Sequence, residues 1–238
     1  DRFAGFAATL ALNNPDACVA ETHRAIDDLG AKGIEVFTNV AGKPLDLPEF
    51  EPLWAAIAAH DLPVWLHPSR SARQSEYASE PGSRYEIWFT FGYPYETSAA
   101  MARIVFSGLL DTYPNLNFIT HHMGGMVPFF EGRVGPGWET MGQRSADEAG
   151  VLAALKRPHA EYFKEFYGDT ALFGARAGTV CGLDYFGAEH VVFASDMPFD
   201  PAPGQFIGDT IRIIDGLDIS EADRALIYHG NAERLMKL

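Results

Sequence analysis

Cysteine is almost absent from this 238-residue chain, with Cys18 and Cys181 the only two. Two thiols cannot staple a loop-rich fold, so the core must be hydrophobic, and a reducing, cytoplasmic setting is expected. Positive charge is also scarce: 18 Lys and Arg stand against 32 Asp and Glu, a formal net charge of −14. Such a field repels phosphate backbones and anionic lipid, which argues against nucleic acid and membrane as partners. No apolar run approaches the roughly 20 residues of a membrane span. No G-x-G-x-x-G follows the first apolar run and no Walker sequence occurs, so nucleotide binding has no signature here. The opening "DRFAGFAATLALNN" has no basic n-region, no signal-like apolar stretch and no initiator Met.

What is present is an ordinary globular composition, 47% apolar and 21% charged, without low-complexity stretches. Apolar runs and amphipathic segments alternate. "GFAATLALN" reads as a strand, and Asn14 and Pro15 then open the helix "PDACVAETHRAIDDLGAKG", which Gly30 stops. "GIEVFTN" and "LPVWLHPS" are strands around the helix "LPEFEPLWAAIAAHD". A long aromatic loop leads into the helix "TSAAMARIVFSGLLDTYP" and the strand "NLNFITHH". Ser145 and Glu148 form a capping box for "EAGVLAALKR". "EFYGDTALF" and "EHVVFASD" are the last strands, separated by the helix "ARAGTVCGLDYFG". Two helices close the chain, "GQFIGDTIRIID" and "SEADRALIYHGNAERLMKL", the second capped by Ser220 and Asp223.

Six strands, each followed by a helix, imply a parallel sheet covered by helices. An open doubly wound sheet and a (β/α)8 barrel both fit this rhythm, although a barrel needs two more strands than the six counted. A barrel carries its chemistry at the carboxyl ends of the strands. Four of the six strands end there in a candidate ligand or acid/base group: His67, His122, Asp169 and Asp196. Such groups are costly to bury unless paired or bound to a cation, and one shared metal would satisfy several together. Singly, each has a plainer role: His67 bonded to a loop carbonyl, Asp169 tied to backbone amides, Asp196 capping the turn "DMPFDP". Strand alternation lets only one of His121 and His122 face the axis, and periodicity does not choose between them. His23, with Asp27 four residues on, and His60 at a helix end are read as structural, as are His159, His190 and His229.

Taken together, "GAKGIEVFTNVAGKPLDLPEFEPLWAAIAAHDLPVWLHP", "FSGLLDTYPNLNFITHHMGGMVPFFEGR", "FYGDTALFG", "VVFASDMPFDP" and "IYHGNAERL" resemble the amidohydrolase superfamily. Within it they are similar to the aminocarboxymuconate-semialdehyde and γ-resorcylate decarboxylase branch. The resemblance implies a distorted (β/α)8 TIM barrel with a divalent metal, zinc first and manganese or iron next. It implies that His67 and Asp196 are metal ligands, that His122 and Asp196 are catalytic, and that Arg133 binds the substrate carboxylate from a neighbouring subunit of a homodimer. Trp88 and Phe91, with Phe89, Tyr93 and Tyr95 in the same loop, are expected to line the substrate pocket, or else to form an interface.

One departure is large. The family opens with a strand bearing His-x-His or Glu-x-His, and no such motif precedes "RFAGFA". The expectation is a single barrel domain over residues 1–238 that lacks the first two βα units. The implied reaction is metal-dependent, non-oxidative decarboxylation of an aromatic or unsaturated small-molecule carboxylate. Hydrolysis or hydration on the same scaffold is the main alternative, and a non-catalytic, degenerate barrel the second.

Overall fold

Eight strands are present in the computed structural model, which describes residues 2–144 and 150–238. They are β1 (Ala8–Thr9), β2 (Ile34–Phe37), β3 (Asn39–Val40), β4 (Lys43–Pro44), β5 (Val64–His67), β6 (Phe118–Thr120), β7 (Tyr167–Asp169) and β8 (Val191–Val192). β3 and β4 make a separate antiparallel hairpin, and the other six form one parallel sheet in the order β1, β2, β5, β6, β7, β8. Each of the six pairs with its successor and the order never reverses. That is the winding of a (β/α) barrel, whereas a doubly wound sheet reverses partway across. Among the described residues β1 and β8 do not pair with each other, so the six strands form an open arc.

Alternation along the strands sets which face is which. Ile34, Val36, Val64 and Leu66 are fully buried under the helices, while Glu35, Trp65 and His67 between them point to the opposite, inner face. Over the outer face lie α1 (Pro15–His23) and α2 (Glu51–His60). Leu53, Trp54 and Ile57 of α2 are completely buried there, each contributing about 1.5–3 kcal/mol of hydrophobic stabilisation. The Trp54 indole N–H, which burial would otherwise strand, donates to the Leu45 carbonyl at 3.0 Å. No helix of the described residues is long and apolar enough to cross a membrane.

Local signals act where expected at both ends of the chain. Asn14 accepts the Ala17 N–H at 3.2 Å with Pro15 opening α1, and Ser220 accepts the Asp223 N–H at 3.0 Å. The capping box at Ser145 and Glu148 falls outside the described residues. Two boundaries move. The aromatic loop after β5 contains a helical turn at Ile87–Thr90, and the helix that follows begins at Gly92, ahead of Thr97. The last strand is only Val191–Val192, because residues beyond it leave the ladder. Phe193 donates its N–H to Ile227 at 2.9 Å, and Thr170 binds both the N–H and the carbonyl of Ala194 through its hydroxyl. Asn231, fully buried, ties the base of this strand by donating to the Ala188 and Val191 carbonyls.

Candidate active site

Sheet register brings the first pieces of the site to one height. Leu66 pairs with Thr120 and Thr120 with Gly168, so His67 and Asp169, the next residues of β5 and β7, end their strands on the same rung. His67 faces the inner side, and its Nδ1 lies 2.8 Å from the Pro68 carbonyl. A carbonyl only accepts, so Nδ1 carries the proton and Nε2 keeps a free lone pair. Burial and the two neighbouring imidazoles hold the His67 pKa below its ordinary value, which keeps that lone pair available near neutrality.

Past Thr120 the chain stops being a strand. His122 and Met123 both take left-handed backbone conformations, followed by Gly124 and Gly125 with positive φ. A side chain on Gly125 would lie 2.3 Å from the Pro94 carbonyl oxygen, so that turn requires glycine. Left-handed φ at non-glycine residues costs about 1–3 kcal/mol each and collects at functional sites. Asp169, fully buried, holds the turn: its Oδ1 accepts the N–H groups of His122 at 2.8 Å and of Ala171 at 3.1 Å. Its Oδ2 lies 2.9 Å from His121 Nδ1, an off-axis ion pair more than a directed hydrogen bond.

This turn corrects the expectation that one of the two histidines faces away. Alternation holds only inside the strand, and both imidazoles lie beyond its end. The rings of His67, His121 and His122 form a triangle with centroids 5.0, 6.0 and 5.9 Å apart. Burial opposes charge on His121, but Asp169 outweighs it and raises the pKa above its ordinary value; burial likewise opposes ionisation of Asp169, and His121 outweighs that, holding the carboxyl low. Glu35, on the inner face of β2 and bonded by the Thr9 hydroxyl at 2.7 Å, adds negative charge that favours protonation of His67 and His121. Of the two adjacent histidines only His122 has an expected role from the sequence, and Glu35 has none; a polar residue inside an apolar strand, as in "GIEVF", is the signal that marks Glu35.

Asp196 arrives from the other side. The Thr170 contacts with Ala194 set the loop after β8 against β7, and Asp196 turns in with φ 64° to place Oδ2 3.4 Å from His122 Nε2. His67, His122 and Asp196 thus meet at the floor of a cavity of about 570 Å³. Its walls are Trp88, Phe89, Tyr93, Phe173, Phe199 and Phe206. No lysine or arginine lines it among the described residues. Burial, then the Asp196 charge, pushes the Tyr93 phenol pKa up, so it stays a neutral donor.

Two of the aromatics expected to line the pocket, Phe91 and Tyr95, lie off its wall, and Tyr95 is 55% exposed. Phe91 is 62% exposed and off the cavity wall, because the helical turn carrying Trp88 and Phe89 inward, with Tyr93 four residues after Phe89, puts Phe91 on the opposite side. Arg133 sits on a π turn, Arg133–Gly137, with its guanidinium 5.9 Å from the Phe130 ring and outside its own chain's cavity. Phe173, Phe199 and Phe206 take the walls instead, from the segments after β7 and β8 where barrel enzymes build their pockets.

The donor types at the cavity floor suit a divalent metal, although as they stand no three of their ligand atoms lie within 4.8 Å of one another among the described residues. Beside the free Nε2 of His67, the buried Nε2 of His121 and Nδ1 of His122 have no hydrogen-bond partner among the described residues. Orphaned imidazole nitrogens next to a carboxylate are what a borderline cation would satisfy.

The sequence profile described as Amidohydrolase matches residues 1–238. The chain belongs to the amidohydrolase family. This amidohydrolase is 33% identical over 248 residues to the γ-resorcylate decarboxylase of Rhodococcus jostii, covering 100% of the chain and 71% of that relative. It is similar in structure to a 2,6-dihydroxybenzoate decarboxylase complexed with 2,6-dihydroxybenzoate, at TM-score 0.80 and 29% identity, over 98% of the chain and 70% of that protein. A dihydroxybenzoic acid decarboxylase from a Polaromonas species, with bound manganese and the inhibitor 2-nitroresorcinol, matches at TM-score 0.79 and 28% identity, over 100% of the chain and 70% of its own.

Proposed function

We propose that this amidohydrolase catalyses the metal-dependent, non-oxidative decarboxylation of a hydroxylated aromatic acid. The observation that carries the reading is the meeting of His67, His122 and Asp196 beneath an aromatic-walled cavity. Six aromatic side chains suit a flat ring, and a cavity of about 570 Å³ lies in the usual range for small-molecule sites.

His67 and Asp196 would hold the cation at the cavity floor, close to the buried, unpartnered nitrogens of His121 and His122. When bound, the metal would supply the positive charge for substrate oxygens that no lysine or arginine on the cavity wall provides among the described residues. Imidazole and carboxylate donors without a thiolate accept zinc or manganese. The manganese in the Polaromonas relative favours manganese for this chain.

His122 and Asp196 form the proton-handling pair. A proton from this pair goes to the ring carbon that bears the carboxylate. The electron pair of the carbon–carbon bond then returns to the ring, restoring aromaticity, and CO2 leaves. The aromatic walls exclude water, and Tyr93 can donate a hydrogen bond to a substrate oxygen at the cavity wall. Arg133, outside its own cavity on a segment that exposes Phe129 at 77%, contributes to the cavity of a second copy in a homodimer.

The test is CO2 release from a panel of hydroxybenzoates by the full-length manganese-loaded or zinc-loaded protein, with His122→Ala as control. Release that disappears in the variant supports the proposal. Turnover of lactones or hydration of unsaturated acids, without CO2, would replace it with the hydrolase or hydratase reading.

A further inference from the structure

A second cluster of donors lies on the helical layer, on residues that take no part in the catalytic cavity. His23 is the last residue of α1, and Asp27 follows four residues later in the π turn Arg24–Asp28. His60 ends α2, which packs directly against α1. His23 Nδ1 and His60 Nε2 face each other at 3.0 Å, with ring centroids 5.1 Å apart. The Asp27 carboxylate lies 4.0 Å from His23 Nδ1 and 3.7 Å from His60 Nδ1. One donor atom from each residue falls within 4.8 Å of the other two.

We propose that His23, Asp27 and His60 form a second metal site, for a borderline transition cation of the zinc, cobalt, nickel or copper class. Two imidazole nitrogens that point at each other need either a single shared proton or a cation between them. A tetrahedral cation about 2.0–2.1 Å from each nitrogen would hold them roughly 3.3–3.4 Å apart, a few tenths of an ångström beyond the observed spacing. The ligands can make that adjustment, because the side chains of His23 and Asp27 are 48% and 58% exposed while His60, 15% exposed, anchors the site. The local charge favours it too. Arg24, the nearest basic residue in sequence, is turned away into a paired contact with Glu21 at 2.7 Å. Two imidazoles in the set select against magnesium and calcium, which prefer oxygen. A bound cation would staple the end of α1 to the end of α2, on the side of the barrel wall that carries the first two of the six strands.

The experiment uses the full-length protein and zinc. Bound metal is counted after dialysis against micromolar zinc, for wild type, His60→Gln and Asp27→Asn, with thermal unfolding measured with zinc and with chelator. Wild type is expected to hold one zinc more than His60→Gln. The affinity of Asp27→Asn for that zinc should be weakened more than the roughly 10–100-fold that loss of an outer-shell partner already costs. Zinc should raise the unfolding midpoint of wild type more than that of either variant, while the midpoints in chelator stay close, since all three side chains lie on the outer layer. Equal zinc content and equal zinc-dependent shifts in all three proteins would overturn the proposal. That result would leave the catalytic reading intact, because none of these residues lines the cavity.

Discussion

Asp169 accepts the backbone N–H of His122 at 2.8 Å, and through this one bond a buried carboxylate fixes the left-handed turn that aims the imidazole at Asp196. The same carboxylate faces His121 at 2.9 Å. It therefore sets both the backbone of His122 and the charge of His121.

Asp169→Asn should weaken both functions. Removing one partner of a buried charge pair costs about 3–5 kcal/mol, and an amide that keeps one backbone contact should bring the loss toward the lower end. Denaturant unfolding of the variant reads this directly. If decarboxylation falls while bound metal stays at the wild-type level, the loss lies in the placement of His122 and not in the cation site.

The same pair predicts a pH dependence for the metal-free protein. His121 has its pKa raised above 6.5, so its contribution to stability is complete below that value and disappears as pH climbs through the higher folded-state pKa. Asp169 has its pKa lowered from 3.8, so its contribution is present above that value and disappears as pH drops through the lower folded-state pKa. Unfolding midpoints across pH should show a plateau between the two limits, and Asp169→Asn should flatten the alkaline decline. An unchanged alkaline limb in the variant would assign that decline to other groups.

Gly125→Ala should be destabilising out of proportion to its size. Its Cβ would meet the Pro94 carbonyl oxygen at 2.3 Å, a backbone atom that cannot swing aside, and φ is 62°. A loss of about 1–3 kcal/mol is expected from overpacking together with the strained φ. Chemical denaturation with an unchanged m-value is the check, and Gly132→Ala, where a Cβ meets nothing, is the matched control.

Metal removal separates the two candidate cation sites. Chelation should abolish decarboxylation, and manganese should restore it. His67→Ala should lose restoration because it deletes the free Nε2. His23→Ala should restore fully, since His23 lies outside the cavity. Metal analysis alongside the CO2 assay distinguishes these outcomes.

Much of this was legible in the sequence because it depends on local physics. Six apolar runs interleaved with amphipathic helices specify a parallel α/β fold, since parallel strands need crossovers and right-handed crossovers place the helices on the outside. A period of two puts His67 on the inner face, and its position before Pro68 ends the strand there. Asn14 and Ser220 cap their helices because a short oxygen-bearing side chain can reach an N–H three residues on. The tertiary structure decided what depends on residues distant in the chain. Whether His121 joins the site rests on a left-handed turn held by a carboxylate 47 residues away, which no alternation rule contains. Which aromatics wall the cavity rests on where the segments after β7 and β8 fold back, so Phe173, Phe199 and Phe206 enter while Phe91 turns out. Sequence periodicity describes one element at a time, and a site assembled from the ends of several elements is determined only when their relative positions are.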